Sequence, residues 1–149
     1  MEEMKNKKCN EEQIAYMQII EGAIDRIGSN SAVLKGFAAA VLTGISALAA
    51  ITEISGSVLL ISLLPVLLFG YLDAKYLQVE KKFRVLYEQV RLSKKEIDFS
   101  MAIKFPKKVL KAGNATLWSA ICSWSVWPFY GLLLFTGLIL VLLKLKGCV

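Results

Sequence analysis

Three long runs without a single charged side chain constrain this 149-residue chain more than any other feature. They cover residues 36–52, 54–72 and 112–143, which is 17, 19 and 32 positions. A helix rises about 1.5 Å per residue, and ~20 apolar residues cross the ~30 Å hydrocarbon core of a bilayer. The first two runs are each about one crossing long, and the third is longer than one. A soluble helical bundle would have to cover three such runs with the polar remainder of a short chain, and 56% of the residues are hydrophobic. The fold class expected is therefore an all-α integral membrane protein: a transmembrane helical hairpin, a long cytoplasmic helical stalk and a third, C-terminal transmembrane helix.

Charge sets the expected orientation. Residues 1–35 carry five positive and six negative side chains, whereas residues 73–112 carry eleven positive and five negative. Lysine and arginine next to membrane spans stay on the cytoplasmic side. The basic segment then lies inside, the N-terminus with it, and the connection near residues 52–57 outside. Residues 1–30 are rich in charge and have no apolar run, so the opening lacks a cleavable signal and the first span is read as its own insertion signal. The expected localisation is the bacterial inner membrane, multi-pass, with a cytoplasmic N-terminus.

The segments follow from these limits. Residues 1–31 read as a cytoplasmic amphipathic helix with Ile14, Met17, Ile20, Ile24 and Ile27 on one face, ending near Gly28-Ser29-Asn30-Ser31. Residues 33–72 read as the hairpin, with spans at about 33–52 and 57–72. Residues 73–112 form the basic stalk and loop. Within the stalk, Leu72, Tyr76, Val79, Phe83, Leu86 and Val90 alternate at four and three, the seam of a helix packed on a partner. A further short helix, or two broken at Pro106, is expected between Asp98 and Lys111. In the long third run, Trp118, Trp124 and Trp127 favour the headgroup layer. Residues 113–126 then read as interfacial or re-entrant, residues 127–143 as the third span and residues 144–149 as a tail. A last block that returns to its starting side, leaving two full spans, is the alternative.

Two stretches carry a resemblance. Ile24-Asp25-Arg26 with Asn30-Ser31 and Lys35-Gly36 gives an I-x-R-x-x-x-N-S-x-x-x-K-G pattern. Leu72-Asp73 with Tyr76-Leu77, Glu80, Phe83-Arg84 and Leu86-Tyr87 gives L-D-x-x-Y-L-x-x-E-x-x-F-R-x-L-Y. Together with residues 125–130, Ser-Val-Trp-Pro-Phe-Tyr, they resemble a widespread family of small bacterial inner-membrane proteins. That resemblance implies the fold more than an activity. More loosely, a hairpin joined to a long cytoplasmic helix is similar to SLATT-type effectors and to the membrane components of anti-phage systems such as CBASS and Hailong. This implies a membrane effector that depolarises or permeabilises.

Candidate residues carry competing readings. Gly36, Ala40 and Gly44 lie four apart, a spacing that lets helix backbones approach closely. Their use is either packing on the second span or homo-oligomerisation. Asp25, Arg26, Asp73, Glu80 and Arg84 gather near the inner boundary, either as a structural ion-pair network or as a gate latch. A catalytic carboxylate pair is disfavoured, because no histidine, nucleophile or phosphate-binding loop accompanies it. Thr43, Ser46 and Ser62 can line a pore or hydrogen-bond between helices. Lys104, Lys107, Lys108 and Lys111 suit anionic headgroups, or alternatively the phosphates of a nucleotide or oligonucleotide signal. Cys9, Cys122 and Cys148 are isolated, which supports no metal site; no cofactor is expected. The function expected is a homo-oligomeric membrane effector that forms or gates an ion-permeable pore, plausible in bacterial anti-phage defence, and not an enzyme. The alternative is a non-enzymatic anchor or scaffold for a cytosolic partner protein. A pore needs several copies, since one copy has too few helices to enclose it.

Overall fold

The computed structural model describes residues 2–51, 55–92 and 97–146, and the side chains of these except residues 2–10 and Ala50. The expected outer turn at residues 52–54, stalk residues 93–96 and Cys148 lie outside the described residues. Among the described residues six helices follow in order: α1 (Glu2–Ile51), α2 (Gly56–Ile61), α3 (Leu63–Arg91), α4 (Lys107–Ala112), α5 (Leu117–Ile121) and α6 (Trp127–Leu145). Three helical stretches, Glu11–Ala49, Gly56–Arg91 and Trp127–Leu145, are long and apolar enough to cross a membrane.

The expected helix end near Gly28–Ser31 does not occur. α1 runs unbroken for 50 residues, about 75 Å at the standard rise. An interior glycine costs about 1 kcal/mol relative to alanine, which the continuous contact with α3 offsets. Tyr16, Ile20, Ala23, Ala38, Leu42 and Ala49 are all buried. Their spacings are sums of threes and fours, so one stripe of α1 faces the bundle throughout.

α2 and α3 form the return limb. They are divided at Ser62 because Pro65 has no N–H to give the Ile61 carbonyl and its ring crowds that oxygen. The Ser62 hydroxyl donates to Leu59 O at 2.6 Å, within the same turn. α6 then lies antiparallel to this limb. Tyr130 packs on Gly70, Leu63 on Gly137, and Leu145 on Gly56. Both termini of α6 are thus fixed: it starts beside Gly70 and ends beside Gly56, at the start of α2. Gly137 allows close approach, since a Cβ there would press on Leu63 Cδ2 and sit 3.3 Å from Leu42 Cδ1, so the leucine ends would have to move.

Three cores stack along the bundle. Ala49, Leu59 and Val141 form one where the C-terminal end of α1 meets α2 and α6. Ala38, Leu42, Val66, Ala74, Ala120, Val126 and Tyr130 form the middle one. Tyr16, Ile20, Leu86 and Val90 form the third, against which Ile97, Met101, Ile103 and Phe105 pack. Residues 97–106 are therefore a non-helical strap across the α1–α3 pair, and the only helix between Asp98 and Lys111 is α4, which starts after Pro106. Two side chains of α1 hold the strap end of the molecule. The Tyr16 hydroxyl donates to Ser100 O, and Gln13 Nε2 donates to Val90 O at 2.7 Å, satisfying a carbonyl in the last turn of α3.

α4 ends in a Schellman turn. Asn114 adopts φ 51°, Ala115 N–H donates to Leu110 O at 2.7 Å, and Asn114 N–H donates to Lys111 O at 3.1 Å. Thr116 then caps α5 by accepting from Ser119 N–H. α5 lies against α3, where the Lys81 ammonium donates to Ser119 O at 3.1 Å. That places α5 beside the charged part of α3. Pro128 occupies the first turn of α6, where its missing N–H costs nothing.

Candidate functional site

The expected stalk seam twists at its upper end. Leu86 and Val90 are buried as the heptad predicts, but Tyr76 is exposed, and Asp73 and Ala74 take the inward positions. The cause is polar. Asp73 is wholly buried and needs partners, and two residues on α1, one helical turn apart, supply them. The Ser31 hydroxyl donates to Asp73 Oδ1, and the Lys35 ammonium lies 2.6 Å from Asp73 Oδ2. Lys35 also donates to Ser31 Oγ at 2.9 Å, which closes the triangle.

A third helix reaches the same point. Tyr130 of α6 is buried, and its hydroxyl lies within electrostatic reach of the Asp73 carboxylate. The hydroxyl makes no fully formed hydrogen bond among the described residues; Oδ2 is taken by Lys35. Gly70 makes the approach feasible, because a Cβ there would meet the Tyr130 ring at 3.2 Å. Ser31 and Lys35, Asp73, and Tyr130 come from three stretches far apart in the sequence. The cluster sits where the charge-free runs of α1 and α3 begin, bounded by Lys35 and Asp73.

The rest of the expected network is wired differently. Arg84 bonds Glu80 on its own helix, at 2.8 Å. Asp25 and Arg26 are exposed and in no ion pair among the described residues. Ile20 and Ala23 face α3, which turns Asp25 away from it. Of the five residues, only Asp73 ties α1 to α3, and its partner Lys35 was readable only as part of the N-S-x-x-x-K-G pattern. Asp25 and Arg84 nonetheless border one groove, with Glu21, Ile24, Tyr87 and Glu88.

Gly36, Ala40 and Gly44 are exposed, and a Cβ on either glycine would meet nothing within 4 Å. The reading in which they pack on the second span is thereby corrected; α1 uses Ala38 and Leu42 for that contact. Thr43 donates to Ala39 O at 2.8 Å and Ser46 to Leu42 O at 2.7 Å. With Ser62, all three candidate pore hydroxyls are satisfied within their own helices, so none bridges two. Lys104, Lys107, Lys108 and Lys111 are all exposed, on the strap and α4. Among the described residues no group of three or more His, Cys, Asp or Glu side chains is placed to hold a metal ion.

Comparison with protein-family models, with curated proteins and with solved structures gave no match. The functional reading therefore rests on the geometry of the chain.

Proposed function

We propose that this chain is a multi-pass protein of the bacterial inner membrane that assembles into homo-oligomers and forms or gates an ion-permeable pore. On this reading the N-terminus and the α1–α3 stalk lie in the cytoplasm, and α6 ends outside. The observation that carries it is the face of α1 bearing Gly36, Ala40 and Gly44. These three residues are small, neutral and exposed, and no described part of the same chain covers the two glycines. In lipid, helices associate through close backbone approach rather than hydrophobic drive, and this is the face of the bundle that offers it. One copy packs its three long helices around a filled core, so conduction requires several copies. The buried Ser31–Lys35–Asp73 cluster then joins the spans to the stalk, so a force on the stalk reaches the spans through it.

The exposed lysines of the strap and α4 are the entry point for a trigger, either anionic headgroups or the phosphates of a nucleotide signal. A role in anti-phage defence follows from the likeness to hairpin-and-stalk effectors and goes no further than that likeness. Membrane potential in cells producing the chain tests the reading. Production is expected to collapse the potential, and the Gly36→Leu, Gly44→Leu double variant is expected to leave it intact at equal membrane abundance. An undisturbed potential with the native sequence in the membrane, stimulus supplied, argues for the second reading.

That second reading is a scaffold for a cytosolic protein. It is favoured by a groove of about 530 Å³ between α3 and α4, lined by Val85, Leu92, Val109, Ala112 and Gly113 with Arg84 at its edge. A partner docked there would be lost on Val109→Glu substitution without change in ion leak.

A further inference from the structure

A further concave site lies on the opposite end of α3 from the strap. Val66, Leu67, Gly70 and Tyr71 form one wall, Trp127, Tyr130, Gly131 and Leu134 of α6 the other, and Ile121 and Val126 close the end nearest the stalk. Its volume is about 220 Å³, below the ~300–1,000 Å³ of pockets that enclose a whole small molecule. The groove suits one end of a longer apolar chain entering from the side. Its position is at the boundary of the charge-free runs, and Trp127, two-thirds exposed, stands at its rim.

A charge stands next to the Tyr71 side of the groove. Lys75 lies one helical turn beyond Tyr71, with its ammonium 5.5 Å from the centre of the Tyr71 ring. It is in no ion pair among the described residues. An apolar slot with a neighbouring unpaired cation on the basic side of the bundle matches one ligand chemistry: a phospholipid with an anionic headgroup, acyl chain in the slot and phosphate at Lys75. This differs from the diffuse attraction expected of the strap lysines, because it has a fixed apolar component.

We propose that this groove is a binding site for an anionic phospholipid of the cytoplasmic leaflet, a reading that rests on the membrane insertion proposed above. The test is tryptophan quenching in vesicles by lipids brominated on the acyl chain. The full chain carries Trp118→Phe and Trp124→Phe, leaving Trp127 as reporter. Brominated phosphatidylglycerol is expected to quench Trp127 at about fivefold lower mole fraction than brominated phosphatidylcholine, the preference one basic residue gives at a charged surface. Lys75→Gln should remove that preference. Gly131→Leu, whose new side chain enters open space, should weaken quenching by both lipids while helix content stays unchanged. Equal quenching by the two headgroups, or quenching indifferent to Gly131→Leu, would overturn the site while leaving insertion intact. Absence of quenching by either lipid would overturn both insertion and site.

Discussion

The Lys35 ammonium and the Asp73 carboxylate lie 2.6 Å apart, one-fifth and zero exposed, where the long helices pass from apolar to charged sequence. Neither residue makes sense alone. An unpaired carboxylate at that depth carries a heavy desolvation cost, and the Ser31 hydroxyl completes its shell from the same helix as Lys35. The pair therefore fixes the register of α1 against α3. It is also where α6 arrives, through Tyr130.

Breaking this pair from the carboxylate side should be costly. Asp73→Ala is expected to lower stability by about 3 kcal/mol, the lower end for a severed buried pair, because Lys35 retains enough exposure to swing its ammonium outward. Asp73→Asn should cost less, since the amide oxygen still accepts from Ser31. Detergent-solubilised protein in a denaturant or thermal series gives both numbers. The exchange Lys35→Asp with Asp73→Lys should recover part of the loss; if it is worse than either single change, the pair does not set the register.

Tyr130 and Gly70 separate packing from polarity. Tyr130→Phe removes a hydroxyl without a fully formed hydrogen bond and is expected to cost under about 1 kcal/mol. Gly70→Val forces the ring away from α3 and should cost about 1–3 kcal/mol by overpacking. Reversal of that order in the same unfolding series would mean that the hydroxyl, not the ring, holds α6.

The strap has its own anchor. Tyr16→Phe deletes the hydrogen bond to Ser100 O and should destabilise by about 1 kcal/mol, concentrated in residues 97–106. Limited proteolysis would then cut the strap sooner in the variant, with the helical core surviving. Unchanged cleavage kinetics would show that Ile97, Met101, Ile103 and Phe105 suffice to hold it.

The face of α1 makes a prediction of opposite sign. Gly36→Leu and Gly44→Leu place side chains where nothing stands and replace glycine with a strong helix former, worth up to about 1 kcal/mol each. The single chain should be as stable as before or more so, while cross-linked oligomers in membranes disappear. Oligomers that persist with both leucines in place would assign assembly to another face.

The apolar runs were enough to locate the three long apolar helices, because each run without charge is long enough to be one continuous apolar segment. The N-terminal helix on the stalk was equally legible from Ile20 and Ile24, and from Leu86 and Val90. What periodicity missed was set by tertiary contact. Gly28–Ser31 looks like a helix end, yet α3 supports α1 straight through it. Asp73 looks like a boundary charge, yet it takes an inward position because Ser31 and Lys35 meet it there. The small-residue stripe was legible as a stripe, but which side of α1 faces the hairpin depends on Ala38 and Leu42, whose burial no local pattern distinguishes from that of Gly36 and Gly44.

Ion flux across liposomes containing the purified full-length chain tests the central claim most directly. Flux is expected to rise more steeply than linearly with protein-to-lipid ratio, as an oligomeric pore requires, and to vanish in the Gly36→Leu, Gly44→Leu variant. Liposomes that stay tight with inserted oligomer confirmed by cross-linking, with anionic lipid and nucleotide supplied, would contradict the pore and leave the chain a membrane scaffold.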